Sequence, residues 1–138
     1  EINELAKSYS QINFTLPLHP NPKVTKYKKI LTHVKVVSPM EHTSLLDFLS
    51  SCKLVITDSG GLQEEGAFLQ KKVIVCRQTT ERPEGLMSGH SYLCRSPADL
   101  PAVFKDLVGN YEVDTPCPYG NGESSSIVAK RLRDDLLL

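Results

Sequence analysis

Asp58-Ser59-Gly60-Gly61 stands between an apolar run, Lys53-Leu54-Val55-Ile56-Thr57, and a helix-forming stretch that begins at Leu62. A strand that ends in a small polar turn and leads into a helix leaves the first backbone N–H groups of that helix without acceptors. Those donors and the positive end of the helix dipole favour an anion in the turn. Gly60 and Gly61 let a phosphate approach the backbone, and the Ser59 hydroxyl adds a donor. Glu65 lies four residues past Gly61, about one helical turn in, where a carboxylate can accept hydrogen bonds from a ribose diol. The plainer reading has Ser59 or Asp58 as a helix cap and Glu65 as a solvated surface residue. Spacing alone leaves both open.

Two further polar clusters also follow apolar runs. Arg77-Gln78-Thr79-Thr80-Glu81-Arg82-Pro83-Glu84 comes directly after Val73–Cys76, and Pro83 suits the first turn of a short helix. This cluster reads either as a solvated loop held by Arg–Glu pairs or as an anion or sugar site beside the first turn. His19-Pro20-Asn21-Pro22 follows Ile12–Leu18; a histidine in a proline-bracketed turn is either structural or borders a site. Three polar clusters after three strands fall on one sheet edge, the edge at which open α/β sheets bind ligands.

The elements that must position these clusters alternate along the chain. Strands are expected at Ile12–Leu18, Val34–Val37, Lys53–Thr57, Val73–Cys76 and Ser91–Cys94. Helices are expected at Ile2–Ser10, Val24–Thr32, Thr43–Ser51, Leu62–Leu69, Ala98–Val108 and Glu123–Leu136, with a loop over Gly109–Gly122. Tyr27, Ile30 and Leu31 supply the helical spacing of the second helix. Short, nearly all-apolar strands separated by helices predict an α/β fold of three layers: a parallel sheet with helices on both faces, in one domain spanning residues 1–138.

Composition narrows the function. Sixteen basic residues balance sixteen acidic ones, which gives no electrostatic case for nucleic acid or an anionic membrane. No apolar run reaches the roughly 20 residues of a transmembrane helix, and no signal peptide is visible at the start. The spacing of Cys52, Cys76, Cys94 and Cys117 does not suit zinc, and three of them adjoin apolar runs, as buried, reduced thiols of a cytoplasmic protein would. The chain opens on Glu1 rather than Met, so a cut within a longer polypeptide is expected there.

The ordered motifs His19-Pro20-Asn21-Pro22, Thr57-Asp58-Ser59-Gly60-Gly61-Leu62-Gln63-Glu64-Glu65, Arg77–Gly85 and Pro118-Tyr119-Gly120-Asn121-Gly122-Glu123-Ser124-Ser125 together resemble the carboxyl-terminal domain of non-hydrolysing UDP-N-acetylglucosamine 2-epimerases. The resemblance covers essentially the whole chain. It implies the carboxyl-terminal Rossmann-like half of a GT-B fold, with a nucleotide sugar bound between two such halves. It implies interconversion of UDP-GlcNAc and UDP-ManNAc by elimination and readdition of UDP, without NAD or an obligate metal. Carried over by motif, Ser59, Gly60 and Gly61 would hold the diphosphate and Glu65 the ribose hydroxyls. Arg82, Glu81 and His19 would line the cleft.

The sequence also departs from the family. An aromatic residue usual in the helix before the Asp58 turn is replaced by Leu45, with Phe48 one turn along, and the small-residue pair after the Pro83 segment reads Gly89-His90. A Gly-His-Arg-Arg-Glu-type motif expected before the first helix is not in the chain, nor is the amino-terminal domain that would carry the catalytic acid and base. The isolated chain is therefore expected to be inactive, its catalytic residues lying elsewhere. The first, central strand of the fold would be missing too. Ile12–Leu18 and Lys53–Thr57 should flank an empty lane, unless a second chain fills it or the two strands close on each other. Expected partners are UDP or a UDP-sugar, the missing domain or another chain, and a second copy as a homodimer. A non-catalytic UDP- or partner-binding module derived from such an enzyme, and a GT-B glycosyltransferase fragment, are the competing readings.

Overall fold

The structure, a computed structural model, describes residues 1–136. Its elements run α1 (Ile2–Ser8), β1 (Thr15–Pro17), α2 (Pro22–Thr25), a 3-10 turn (Lys26–Ile30), β2 (Lys35–Val37), α3 (His42–Ser51), β3 (Leu54–Thr57), α4 (Gly60–Phe68), β4 (Lys72–Val75), α5 (Pro83–Met87), β5 (Ser91–Leu93), a 3-10 turn (Pro97–Asp99), α6 (Leu100–Leu107) and α7 (Ser124–Leu136). The strands pair in parallel throughout, with Thr15 opposite Lys35, Leu54 opposite Lys72 and Val73 opposite Ser91. They form two sheets rather than one: β1-β2, and β3-β4-β5. β1 and β3 do not pair. Each keeps a free edge on a groove of about 560 Å³ lined by Thr15 and Leu16 on one side and Leu54 and Ile56 on the other.

β4 shows why the fold has three layers. Every residue of Lys72–Val75 is buried, and successive side chains point to opposite faces. Ile74 joins Leu5, Cys94, Leu100, Phe104 and Leu107 on one face, the side of α1 and α6. Val73 and Val75 join Val55 and Leu49 on the other, the side of α3 and α4. In α6 the buried residues Leu100, Phe104 and Leu107 recur at helical spacing, and a Ser96–Asp99 capping box fixes where the preceding turn begins. Phe104 also receives Tyr9 and Phe14, at ring-centroid distances of 4.9 and 5.5 Å, which ties α1 and the approach to β1 onto the larger sheet's helix layer.

Two expectations fail. The segment after Asn21 is not a continuous helix over Val24–Thr32 but one short α-turn followed by a 3-10 turn. Tyr27 and Ile30 do recur at helical spacing, yet they are 51% and 63% exposed, so no packing offsets the nucleation cost of a longer helix. The thiols also differ in burial: Cys94 is buried, Cys52 and Cys117 are half-buried and Cys76 is exposed, because Cys76 falls just beyond the buried end of β4. All four are free thiols.

Candidate functional site

β3 ends at Thr57, and the Thr57 hydroxyl accepts a hydrogen bond from the Ser59 amide at 3.0 Å, which turns the chain sharply into α4. Ser59 caps that helix. Its hydroxyl accepts from the Leu62 amide at 3.5 Å, the outer limit of a hydrogen bond and therefore a cap readily exchanged for a better partner. The Gly60 and Gly61 amides, among the first of α4, have no acceptor within the helix. A Cβ on Gly61 would meet nothing within 4 Å, so its backbone faces open space. A Cβ on Gly60 would stand 2.6 Å from Arg82 Nη1 and 2.9 Å from Glu81 Oε1, so only glycine lets that guanidinium lie against the turn.

Arg82 is held there by two carboxylates. Its Nε donates to Glu64 at 2.5 Å, and its Nη1 pairs with Glu81. The bond to Glu64 is the main cause of an Arg82 pKa above the ordinary guanidinium value. Glu81 also accepts from Arg77 at 2.7 Å; a hydrogen bond from its own backbone amide, then the Arg77 guanidinium, lower its pKa. Beneath these charges lies Gln63, fully buried. Its amide donates to the Ser59 carbonyl at 3.3 Å and its oxygen accepts from the Thr80 hydroxyl at 2.7 Å, fastening the Ser59 turn to the Arg77–Glu84 loop. Thr80 in turn accepts from the Arg82 amide at 3.2 Å.

The structure thus brings Ser59, Gly60, Gly61, Glu81 and Arg82 together. Glu65 is on the same helix but engages α3: its Oε1 lies 2.9 Å from Nε2 of His42, with the carboxylate side chain 28% exposed. His19 is not brought into contact with them. It sits past the end of β1, and its Nδ1 accepts from the Asn21 amide at 3.2 Å, a local turn that leads into the Asn21-capped α2. Leu45 packs against the α3–α4 core cluster, whereas Phe48 lines the groove between β1 and β3. The residue of α3 that does reach α4's polar face is His42, one turn before Leu45.

Among the chain matches, a family model for UDP-N-acetylglucosamine 2-epimerase aligns with residues 1–133. The chain belongs to the UDP-N-acetylglucosamine 2-epimerase family. The Neisseria meningitidis serogroup A epimerase is 36% identical over 95% of this chain, and the Escherichia coli K12 epimerase 32% identical over 96%. The chain spans 38% of the length of each of these relatives. Among solved structures, the N. meningitidis epimerase bound to UDP-GlcNAc superposes with a TM-score of 0.82 at 35% identity, covering 96% of this chain and 39% of that one. The S. aureus MnaA–UDP structure superposes with 0.90 at 28% identity, covering 99% and 39%. The parallel sheets with flanking helices are those of this epimerase family.

Sequence reasoning did not single out His42, Glu64 or Gln63. Gln63 and Glu64 lie inside the quoted motif, and Gln63 falls four residues after Ser59, a spacing that allows a side chain to reach back over one helical turn. For His42 no local signal exists, because its contact with Glu65 joins two helices whose relative placement is set by Leu45, Leu49 and Leu62 in the core. The fourth motif does not join the polar cluster directly. Tyr119 places its hydroxyl against Gly85 of α5, and the Thr115 hydroxyl donates to the Ser88 carbonyl at 2.8 Å, so this loop braces the helix that follows Arg82.

Proposed function

We infer that this chain is the UDP-sugar-binding portion of a UDP-N-acetylglucosamine 2-epimerase, acting on UDP-GlcNAc and UDP-ManNAc with catalytic acid and base supplied from outside these residues. The supporting observation is the Ser59-Gly60-Gly61 turn at the start of α4 with the Arg82 guanidinium laid against Gly60. Helix-terminal amides and a charged guanidinium are the donors a diphosphate requires. In this reading the diphosphate takes the turn, and Arg82, with Glu81 and Glu64 as its holders, faces the same charge. Glu65 accepts from the ribose diol, using the oxygen that His42 leaves free. His19, at the same end of the neighbouring sheet, borders the cleft. The missing portion of the enzyme is the partner, and the isolated chain does not epimerise. Four free thiols support a cytoplasmic location.

Calorimetry with UDP on the folded chain tests this reading. Wild type should bind. Glu65→Ala should lose about tenfold or more in affinity, the range expected when a charged hydrogen-bond partner is removed. Ser59→Asp separates capping from phosphate binding, because aspartate caps as well as serine yet puts a negative charge beside the diphosphate. It should keep the stability of the fold and lose UDP. UDP binding unchanged by Ser59→Asp, or absent from folded wild type, would sink the assignment.

A further inference from the structure

We propose that the crossover between β1 and β2, residues 22–30, is a docking patch for an anionic lipid surface. Whole-chain neutrality hides a segregation of charge. Residues 5–40 carry six lysines and no aspartate or glutamate, so the rest of the chain is acidic by the same amount. Four of the six, Lys23, Lys26, Lys28 and Lys29, stand in this crossover.

Geometry sorts these lysines from the apolar residues of the same segment. α2 runs directly into the 3-10 turn. Side chains three apart eclipse in a 3-10 turn and share a face in an α-turn. Val24, Tyr27 and Ile30 therefore form one ridge, and Lys23, Lys26 and Lys29 form another. The Lys26 ammonium lies 4.9 Å from the centroid of the Tyr27 ring, so the two ridges adjoin. Every residue from 21 to 30 is exposed. The connection between parallel strands ordinarily lays its apolar face on the sheet, and this one turns it outward. Both ends of the patch are tied down. Asn21 Oδ1 accepts from the Lys23 amide at 2.9 Å, and Asn3 Oδ1 of α1 accepts from the His33 amide at 2.9 Å.

The chemistry favours lipid over nucleic acid or an acidic protein. All five arginines of the chain lie outside residues 5–40. Discrete phosphates and carboxylates select the planar arginine fork, whereas lysine on its flexible stem answers a diffuse negative surface. Val24 and Ile30 find nothing apolar on a phosphodiester backbone. The boundary between headgroups and acyl chains takes them, with Tyr27 at its polar margin. Each lysine near an anionic leaflet strengthens partition by about fivefold, so the four act together where one alone is weak.

The experiment sediments the full chain with vesicles of equal phosphatidylglycerol and phosphatidylcholine, and with vesicles of phosphatidylcholine alone. Wild type should partition onto the anionic vesicles at least about tenfold more strongly, and about 0.5 M salt should release it. Lys26→Gln/Lys28→Gln/Lys29→Gln should lose about a hundredfold in partition. The control, Lys53→Gln/Lys105→Gln/Lys130→Gln, removes the same charge from exposed positions elsewhere and should lose less than about threefold. The chain has no tryptophan, so Tyr27→Trp supplies a single reporter whose emission should move to shorter wavelength on anionic vesicles. Equal losses from the two triple variants would reduce the effect to net charge and overturn the proposal. So would an unshifted Tyr27→Trp emission, equal partition onto both vesicle types, no partition of the folded chain, or its displacement from anionic vesicles by an equal phosphate concentration of duplex DNA.

Discussion

At the scale of single residues, Gly60 decides how the polar cluster is assembled. Gly60→Ala would push Arg82 and Glu81 aside, and both are the far ends of flexible side chains. Little strain should reach the core, and alanine reduces the entropy of the unfolded chain. The expected outcome is an unfolding midpoint in urea that barely moves, with UDP affinity weakened by about tenfold as the guanidinium is displaced. A variant that binds UDP as wild type does would show that Arg82 need not lie against the turn. His90 offers a second test. It is fully buried, its Nδ1 lies 2.9 Å from the Ser88 hydroxyl, and burial holds its pKa below the ordinary 6.5. The unfolded chain then takes up a proton before the folded one does, so stability from the neutral imidazole is complete above pH 6.5 and is lost as the pH falls through the folded value. Thermal melts over about pH 7 to 5 should decline more steeply for wild type than for His90→Asn, and equal slopes would remove His90 as the cause.

At the scale of elements, α4 must lie close to β4 for the Ser59 turn to meet the Arg77–Glu84 loop, and Gly66 permits that approach. A Cβ there would stand 2.6 Å from Cγ2 of Val73, a residue with no exposure at all. Gly66→Ala should therefore destabilise the fold by about 1–3 kcal/mol in urea unfolding, the cost of overpacking a core that has nowhere to move. A neutral result would mean that α4 slides outward without loss. This contact explains what could be read in the sequence and what could not. The apolar runs revealed every strand within a few residues, and the strand–turn–helix order revealed the Ser59 turn, because backbone geometry is local. The closeness of α4 to β4 was not legible, since a glycine inside a helix looks only like a weak helix former. The segment after Asn21 misled for the same reason in reverse: spacing marked an apolar face, but only the fold shows that nothing packs on it.

At the scale of the whole molecule, the described residues divide into a packed core that carries the polar cluster around Ser59 and Arg82 and a terminal helix that buries no residue against it. The resemblance in four ordered motifs led to the expectation that Ile12–Leu18 and Lys53–Thr57 would stand apart, and β1 and β3 do not pair. The His42–Glu65 contact stayed hidden because it depends on how two helices pack. α7 stands at the far end of this contrast. None of Ser124–Leu136 is buried, and Val128, Leu132 and Leu136, four residues apart on one face, are 56%, 54% and 79% exposed. Thirteen residues are near the length at which an isolated helix is only marginal in water. The Arg131–Asp135 pair at 2.9 Å adds only about 0.3–0.5 kcal/mol, as exposed i,i+4 pairs do. The Tyr119 contact with α5 comes before the helix begins, so the brace on the site survives without it. Ending the chain after Gly122 should therefore shift the melting temperature by no more than about 2 °C and leave UDP affinity unchanged, because no buried surface is lost. In the intact chain, α7 amides should exchange orders of magnitude faster than those of β4. A truncated chain that melts much earlier would show that α7 packs on this core in solution.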